Sequence, residues 1–255
     1  MSNTLRLRPT SASILAFLCL TLLLVEAHEQ VHALATRLLC GGWAGRVFDN
    51  VLPYPGCSAR RLALVDIAAP LFSYACLGLG AALLGRADRR TQSFGFALLF
   101  ASLPLGRVLP QVVTVFVAGS TADEYSFVHR LAGDALGRGV TGTVAVAIAL
   151  AFTMPPLLFA WRRLPSAQRP LLFAGFCGLP LLFVIVWLIV GMNGLLAHGV
   201  LASLGTAAWP GLVRVHTAVV AVAFLLLCRR LSDLVPAGGP VLPRPFFRPS
   251  PESAA

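Results

Sequence analysis

The sequence predicts an all-α, polytopic integral membrane protein with about six transmembrane helices. Three observations carry this expectation. Of the 255 residues, 57% are hydrophobic and only 12% are charged, and the mean hydropathy is +0.81. A soluble chain of this size carries about 25% Asp, Glu, Lys and Arg. Half that charge leaves too little polar surface to face water on all sides. The apolar residues also fall into six long runs, and spanning a bilayer takes about 20 mostly apolar residues. The runs cover 12–39, 62–85, 92–118, 140–161, 170–196 and 210–228.

The first run follows Arg6 and Arg8, and Val25-Glu26-Ala27 offers small residues of the kind a signal peptidase reads. The apolar helical pattern continues through Val31, Leu34, Leu38 and Leu39, however, so we read an uncleaved first helix. Pro104 and Pro110 in the third run and Pro180 in the fifth should kink their helices. Membrane helices tolerate this when neighbours satisfy the freed carbonyls. Residues 1–235 read as a single transmembrane domain. The stretch 236–255, rich in proline and small residues, reads as a disordered cytoplasmic tail. We find no internal repeat and no soluble domain.

The net charge of +10 comes from arginine alone; there is no lysine. The arginines cluster between apolar runs (Arg60-Arg61, Arg86 with Arg89-Arg90, Arg162-Arg163, Arg229-Arg230). That pattern encodes membrane topology and meets acidic headgroups. No basic patch is interleaved with aromatics, so nucleic acid is excluded as a partner and the lipid bilayer is expected. Placing both termini in the cytoplasm puts Arg6, Arg8, Arg86, Arg89, Arg90, Arg162, Arg163, Arg169, Arg229, Arg230, Arg244 and Arg248 inside. Arg46, Arg60, Arg61, Arg130 and Arg138 then lie outside. The expected location is the cell (inner) membrane.

The chemistry sits in the first run, at His28-Glu29-Gln30-Val31-His32. Histidines four residues apart share a helix face. Two imidazoles so placed can bind one Zn²⁺, with Glu29 beside them as the base for water. The chain has only five histidines and four glutamates, which makes the pattern specific. Ionisable residues inside a membrane helix are costly and mark functional sites. If the membrane segment begins near Ser13, His28 lies roughly 22 Å along it, in the outer third of a ~30 Å core. Its partners should then come from the outer ends of other helices.

A catalytic zinc takes three protein ligands and leaves the fourth position to water. Asp123, in Gly119-Ser120-Thr121-Ala122-Asp123-Glu124-Tyr125, is the first choice, because the third helix should deliver it to the outer side. Asp123-Glu124 is also suited to the start of a short helix. Asp66 is the alternative ligand, although a salt bridge to Arg60 or Arg61 is the reading we prefer for it. Glu124, His129, His198 and His216 complete the candidates. Arg107, inside the third run, must pair or snorkel. Cys19, Cys76, Cys177 and Cys228 sit in or beside membrane helices as small apolar residues. Cys40 and Cys57 bracket the first outer loop, which leaves open a disulfide or two free thiols.

At these residues the sequence resembles the site-2 protease family of membrane-embedded zinc metalloproteases and its short bacterial relatives. His28-Glu29-Gln30-Val31-His32-Ala33-Leu34-Ala35 is similar to the family's HExxH run in a membrane helix. Arg60-Arg61-Leu62-Ala63-Leu64-Val65-Asp66-Ile67-Ala68-Ala69-Pro70-Leu71 resembles the segment after the first loop, with Ala69 where relatives usually have glycine. A long apolar third helix follows, and then Asp123-Glu124, similar to the motif that supplies the third ligand but without its customary Asp-Gly pair. No PDZ-like domain is inserted. The likeness covers roughly the first 130 residues. It implies a zinc metallopeptidase acting on a membrane or membrane-proximal peptide, with Glu29 catalytic and His28, His32 and Asp123 on the metal. The site would face outward, unlike well-known members whose centre lies nearer the cytosol. Two other readings stay open. One is a zinc hydrolase of a lipid or lipid-linked group. The other is a metal-binding membrane protein or transporter without turnover, though the paired halves of transporters are absent.

Overall fold

The structure is a computed structural model that describes residue 5 and residues 7–117 and 122–235. The expected tail, 236–255, and the 119–121 part of the third-ligand segment lie outside the described residues. All regular structure among the described residues is helical, apart from an isolated bridge between Arg46 and Val51. Six helical segments are long and apolar enough to cross a membrane: Ser11–Cys40, Ala59–Leu84, Arg89–Phe116, Arg138–Arg163, Arg169–Ala197 and Gly211–Leu234. The protein is therefore an all-α, multi-pass membrane protein.

Helix α1 (Ser11–Cys40) is continuous through both histidines. It starts where Thr10 and Ser13 cap each other: Ser13 N donates to Thr10 Oγ1 at 3.1 Å and Thr10 N to Ser13 Oγ at 2.8 Å. It ends at Gly41, whose φ of 86° suits glycine and closes the last turn. The loop that follows is tied back by a disulfide between Cys40 and Cys57, so the pair is not left as free thiols. The loop is also pinned by a two-pronged pair from Arg46 to Glu26, at 2.9 and 2.8 Å. Asn193 holds its middle, accepting from Phe48 N and donating to Asp49.

Helix α2 (Ala59–Leu84) runs back beside α1 and carries Pro70. Proline has no N–H to give to the carbonyl four residues earlier, so the carbonyl of Asp66 lacks that helical partner. The third run breaks in two, as α3 (Arg89–Ala101) and α4 (Pro104–Phe116). The break exceeds the expected kink: Leu103 takes a φ of 52° and Pro104 occupies the first turn of α4. Helix α5 (Asp123–Ala132) is short and lies between α2 and α6 (Arg138–Arg163). Helix α7 (Arg169–Val184) passes through Pro180 and then widens into a π-helical stretch at Ile185–Met192 before the one-turn α8 (Asn193–Ala197). Helix α9 (Gly211–Leu227) packs mainly on α1.

The larger apolar cluster gathers around Phe17, Leu77, Phe96, Phe100 and Phe176, and a second one around Cys19, Leu22, Phe48, Leu188 and Leu212 reaches the first loop. At the larger cluster Leu5 N donates to Arg163 O and Arg8 N to Leu234 O, so the described beginning and end of the chain meet there.

Candidate metal centre

The helical period brings His28 and His32 to one face of α1, and both rings are buried. They face α2 and the start of α5. His28 Nδ1 lies 2.9 Å from Ser73 Oγ, and His32 Nδ1 donates to Val65 O at 2.8 Å, next in sequence to the Asp66 carbonyl that Pro70 leaves without its helical partner. Each ring thus spends its Nδ1 on α2 and turns its Nε2 toward Asp123. The distances are 3.2 Å from His28 Nε2 to Asp123 Oδ2 and 3.5 Å from His32 Nε2 to Oδ1. One ligand atom from each of the three residues lies within 4.8 Å of the others.

The first-choice trio is therefore brought together, and Asp66, Glu124, His129, His198 and His216 lie outside that group. Asp66 is held by Arg130 Nε at 2.6 Å. The expected partner, Arg60 or Arg61, is corrected. Those arginines stand six and five residues before Asp66, and only positions three or four apart meet on a helix surface. His129 stacks on Tyr125, His198 bonds Gly194 O, and His216 accepts from Trp187 Nε1. Asp123 and Glu124 stand in the first turn of α5, but neither side chain caps it; the cap residue is Ala122.

Glu124 is fully buried and locks α5 in place. Tyr74 Oη and Gln111 Nε2 both donate to its carboxylate, and Tyr125 N donates to Gln111 Oε1 at 3.1 Å. Burial pushes the Glu124 carboxyl above its ordinary range. Burial alone would also raise Asp123, but the His28 and His32 rings beside it and the Arg107 charge hold it well below the usual carboxylate range. Asp123 is thus an anion facing two imidazoles. Arg107 supplies the partner the sequence left unnamed, with Nη1 3.0 Å from Asp123 Oδ2 and 3.3 Å from His28 Nε2.

Two features test whether this trio fits a metal. His32 must carry a proton on Nδ1, because Val65 O can only accept. Neutral His32 then turns an Nε2 lone pair toward a carboxylate oxygen that also only accepts. Such an arrangement calls for a proton or a cation between them. Donation of the other ring nitrogen to a carbonyl is also how a metal-ligating histidine is oriented. The second feature is Glu29, buried at 4% exposure with no hydrogen-bond partner for its Oε2 among the described residues. A buried carboxylate oxygen without a donor is expensive unless a ligand or water meets it. Two imidazole nitrogens and one carboxylate fit a divalent metal with an open position for water.

Ser73, Tyr74, Gln111 and the Val65 carbonyl were not singled out from the sequence. Arg107, Gln111 and Thr114 did carry a signal, being polar at helical spacing within an apolar run. Comparisons with protein families, with curated proteins and with solved structures found no match.

Proposed function

We propose that the chain is a membrane-embedded zinc metallopeptidase, similar in its site to the site-2 protease family, cleaving peptide bonds of a membrane or membrane-proximal substrate. The observation that carries the reading is the convergence of His28, His32 and Asp123 beside a buried carboxylate, Glu29, whose Oε2 has no donor. His28 and His32 bind through Nε2, oriented by Ser73 and Val65. Asp123 supplies the charge of the third ligand. Zinc, when bound, polarises a carbonyl and lowers the pKa of water toward about 7. Glu29 takes the proton from water as its oxygen bonds to the carbonyl carbon. The C–N bond then breaks, and Glu29 returns the proton to the leaving nitrogen, releasing a carboxylic acid and an amine, which pass the remaining proton between them to leave as a carboxylate and an ammonium. Glu29 follows His28 directly, about 100° around the helix, so it reaches the reacting water without joining the ligands.

Hydrolysis of a lipid-linked acyl or phosphoryl group would use the same metal chemistry. The end of the bundle that holds this trio carries α5 and the disulfide-tied loop. The arginine distribution favours that end outside, both termini in the cytoplasm, and the cell membrane as the location.

Elemental analysis of the purified chain tests the reading. We expect one zinc per chain, lost in His28→Ala and in His32→Ala. Zinc unchanged in both variants would remove the metal centre, and with it the hydrolase.

A further inference from the structure

Arg107 is the least expected residue at the site. It lies one turn into α4, behind the break at Leu103, and its side chain is 19% exposed. An arginine within a membrane segment normally pairs or points to water. Here Nη1 alone is engaged, by Asp123 Oδ2 and His28 Nε2. Nε and Nη2 have no partner among the described residues. Neither is sealed off, since the buried atoms lacking a partner are Glu29 Oε2 and Thr217 Oγ1. The guanidinium thus stands against the ligand cage with N–H donors that no described residue engages. Its neighbours on α4 explain how it is aimed. Gln111, one turn further along, is buried and fixed through Glu124 and Tyr125. A Cβ at Gly106 would stand 3.2 Å from Leu103 Cβ and 3.5 Å from Leu181 Cδ1, so the start of α4 runs close to α7.

The ion pair alone does not account for this arrangement. Asp123 is already met by two imidazoles, and a cationic partner beside them weakens its hold on a metal. A guanidinium beside a metal ligand repels the metal at short range, and in low dielectric that repulsion is large. A residue that lowers metal affinity and leaves donors unpaired fits a different task. Donors fixed beside a polarised carbonyl stabilise the negative charge that grows on its oxygen. The fork geometry of arginine also suits a carboxylate, which is one of the two products of hydrolysis.

We propose that Arg107 is a catalytic residue that receives the substrate's carbonyl oxygen through its free N–H groups and then holds the product carboxylate. This rests on the metallopeptidase reading and makes Arg107 the electrophilic counterpart of Glu29. Bond changes are those given above; Arg107 keeps its protons throughout.

The test uses the full chain in detergent, loaded with zinc or with cobalt(II), and the variants Arg107→Gln and Arg107→Lys. Zinc affinity is measured by competition with a chelator. Acetate, a small carboxylate probe, is titrated into the cobalt form and followed by its visible absorption. We expect Arg107→Gln to bind zinc more tightly and acetate at least several-fold more weakly. Arg107→Lys should keep the zinc affinity of the parent and lose part of the acetate affinity. With a cleavable peptide in hand, Arg107→Gln should lower kcat by about 10²–10³, as loss of one oxyanion donor does. Unchanged acetate affinity in Arg107→Gln overturns the assignment, and weaker zinc binding does so as well, since it would make Arg107 a brace for Asp123. Both failures leave the zinc site standing. A parent chain that takes up no zinc instead overturns the metallopeptidase reading and this assignment together.

Discussion

The helices before residue 164 and those after it share a lipid-like composition but do different work. In the first part, the Arg89–Phe116 span is 50% buried within its most apolar stretch, and its inward face carries Arg107, Gln111 and Thr114. In the second part, the Gly211–Leu234 span is only 22% buried, and Val219, Val222, Leu225 and Leu226 are exposed. Apolar burial gives little drive for helices to associate in lipid, so close approach and polar contacts must supply it. The first part has both. Gly80 and Gly95 let α2 and α3 touch backbone to backbone, and Glu124, Tyr74 and Gln111 join three helices. The second part has the half-buried Asn193 and His216. The difference separates a polar framework, which holds the proposed metal site, from a flank with more exposed apolar surface.

The largest effect that can break this comparison is at Glu29. Glu29→Gln keeps the size and removes the base, so zinc content and thermal stability should match the parent. Turnover of a quenched fluorescent peptide derived from an apolar helix should fall by about 10²–10⁴. Full turnover in this variant would show that the buried carboxylate is a structural group and that the polar framework is not built for hydrolysis.

Much of this division is legible in the sequence, and the reasons are local. The histidines and Glu29 lie within five residues, and helical periodicity alone puts the two rings on one face. Asp123 lies 91 residues beyond His32, and its placement follows from the side on which the third run should end. The orienting contacts were not legible, because they cross between helices. Which serine or carbonyl of α2 meets each ring depends on the rotation of α2, and that is set by Pro70 and by the small residues facing α3. The partner of Asp66 failed for the same reason: sequence proximity suggested Arg60 or Arg61, while α5, docked by Glu124, brought Arg130. The full break at Leu103 exceeds what a proline kink foretells, since a positive φ at leucine is held by its surroundings.

A middle-sized effect should separate the two parts by packing. A Cβ at Gly80 would stand 2.7 Å from Leu99 N and 2.9 Å from Leu99 Cα, so backbone would have to move. Gly80→Val should cost about 1–3 kcal/mol, read as a lower midpoint of thermal unfolding in detergent. Gly178, in α7, has nothing within 4 Å of its would-be Cβ. Gly178→Ala should stay within about 0.5 kcal/mol of the parent. Equal losses at both positions would mean that α7 is packed as tightly as α2 and α3.

The smallest effect sharpens the boundary at His216. Its Nε2 accepts from Trp187 Nε1 at 3.0 Å, and its ring stands edge-on to Phe48, with centroids 5.2 Å apart. Trp187 belongs to the π-helical stretch and Phe48 to the disulfide-tied loop, so His216 links α9 to both. It was also a candidate third ligand by sequence, which makes it a direct probe of where the site stops. His216→Phe keeps a flat ring against Phe48 and removes one acceptor. The Trp187 N–H lies at an exposed edge and can turn to headgroups or water, so the loss should be about 0.5–1.5 kcal/mol at most. Zinc stoichiometry should not change, because in the proposed site Asp123 completes the set with His28 and His32. A drop in zinc for His216→Phe, with zinc retained in Asp123→Asn, would move the third ligand to α9 and make the flank part of the site.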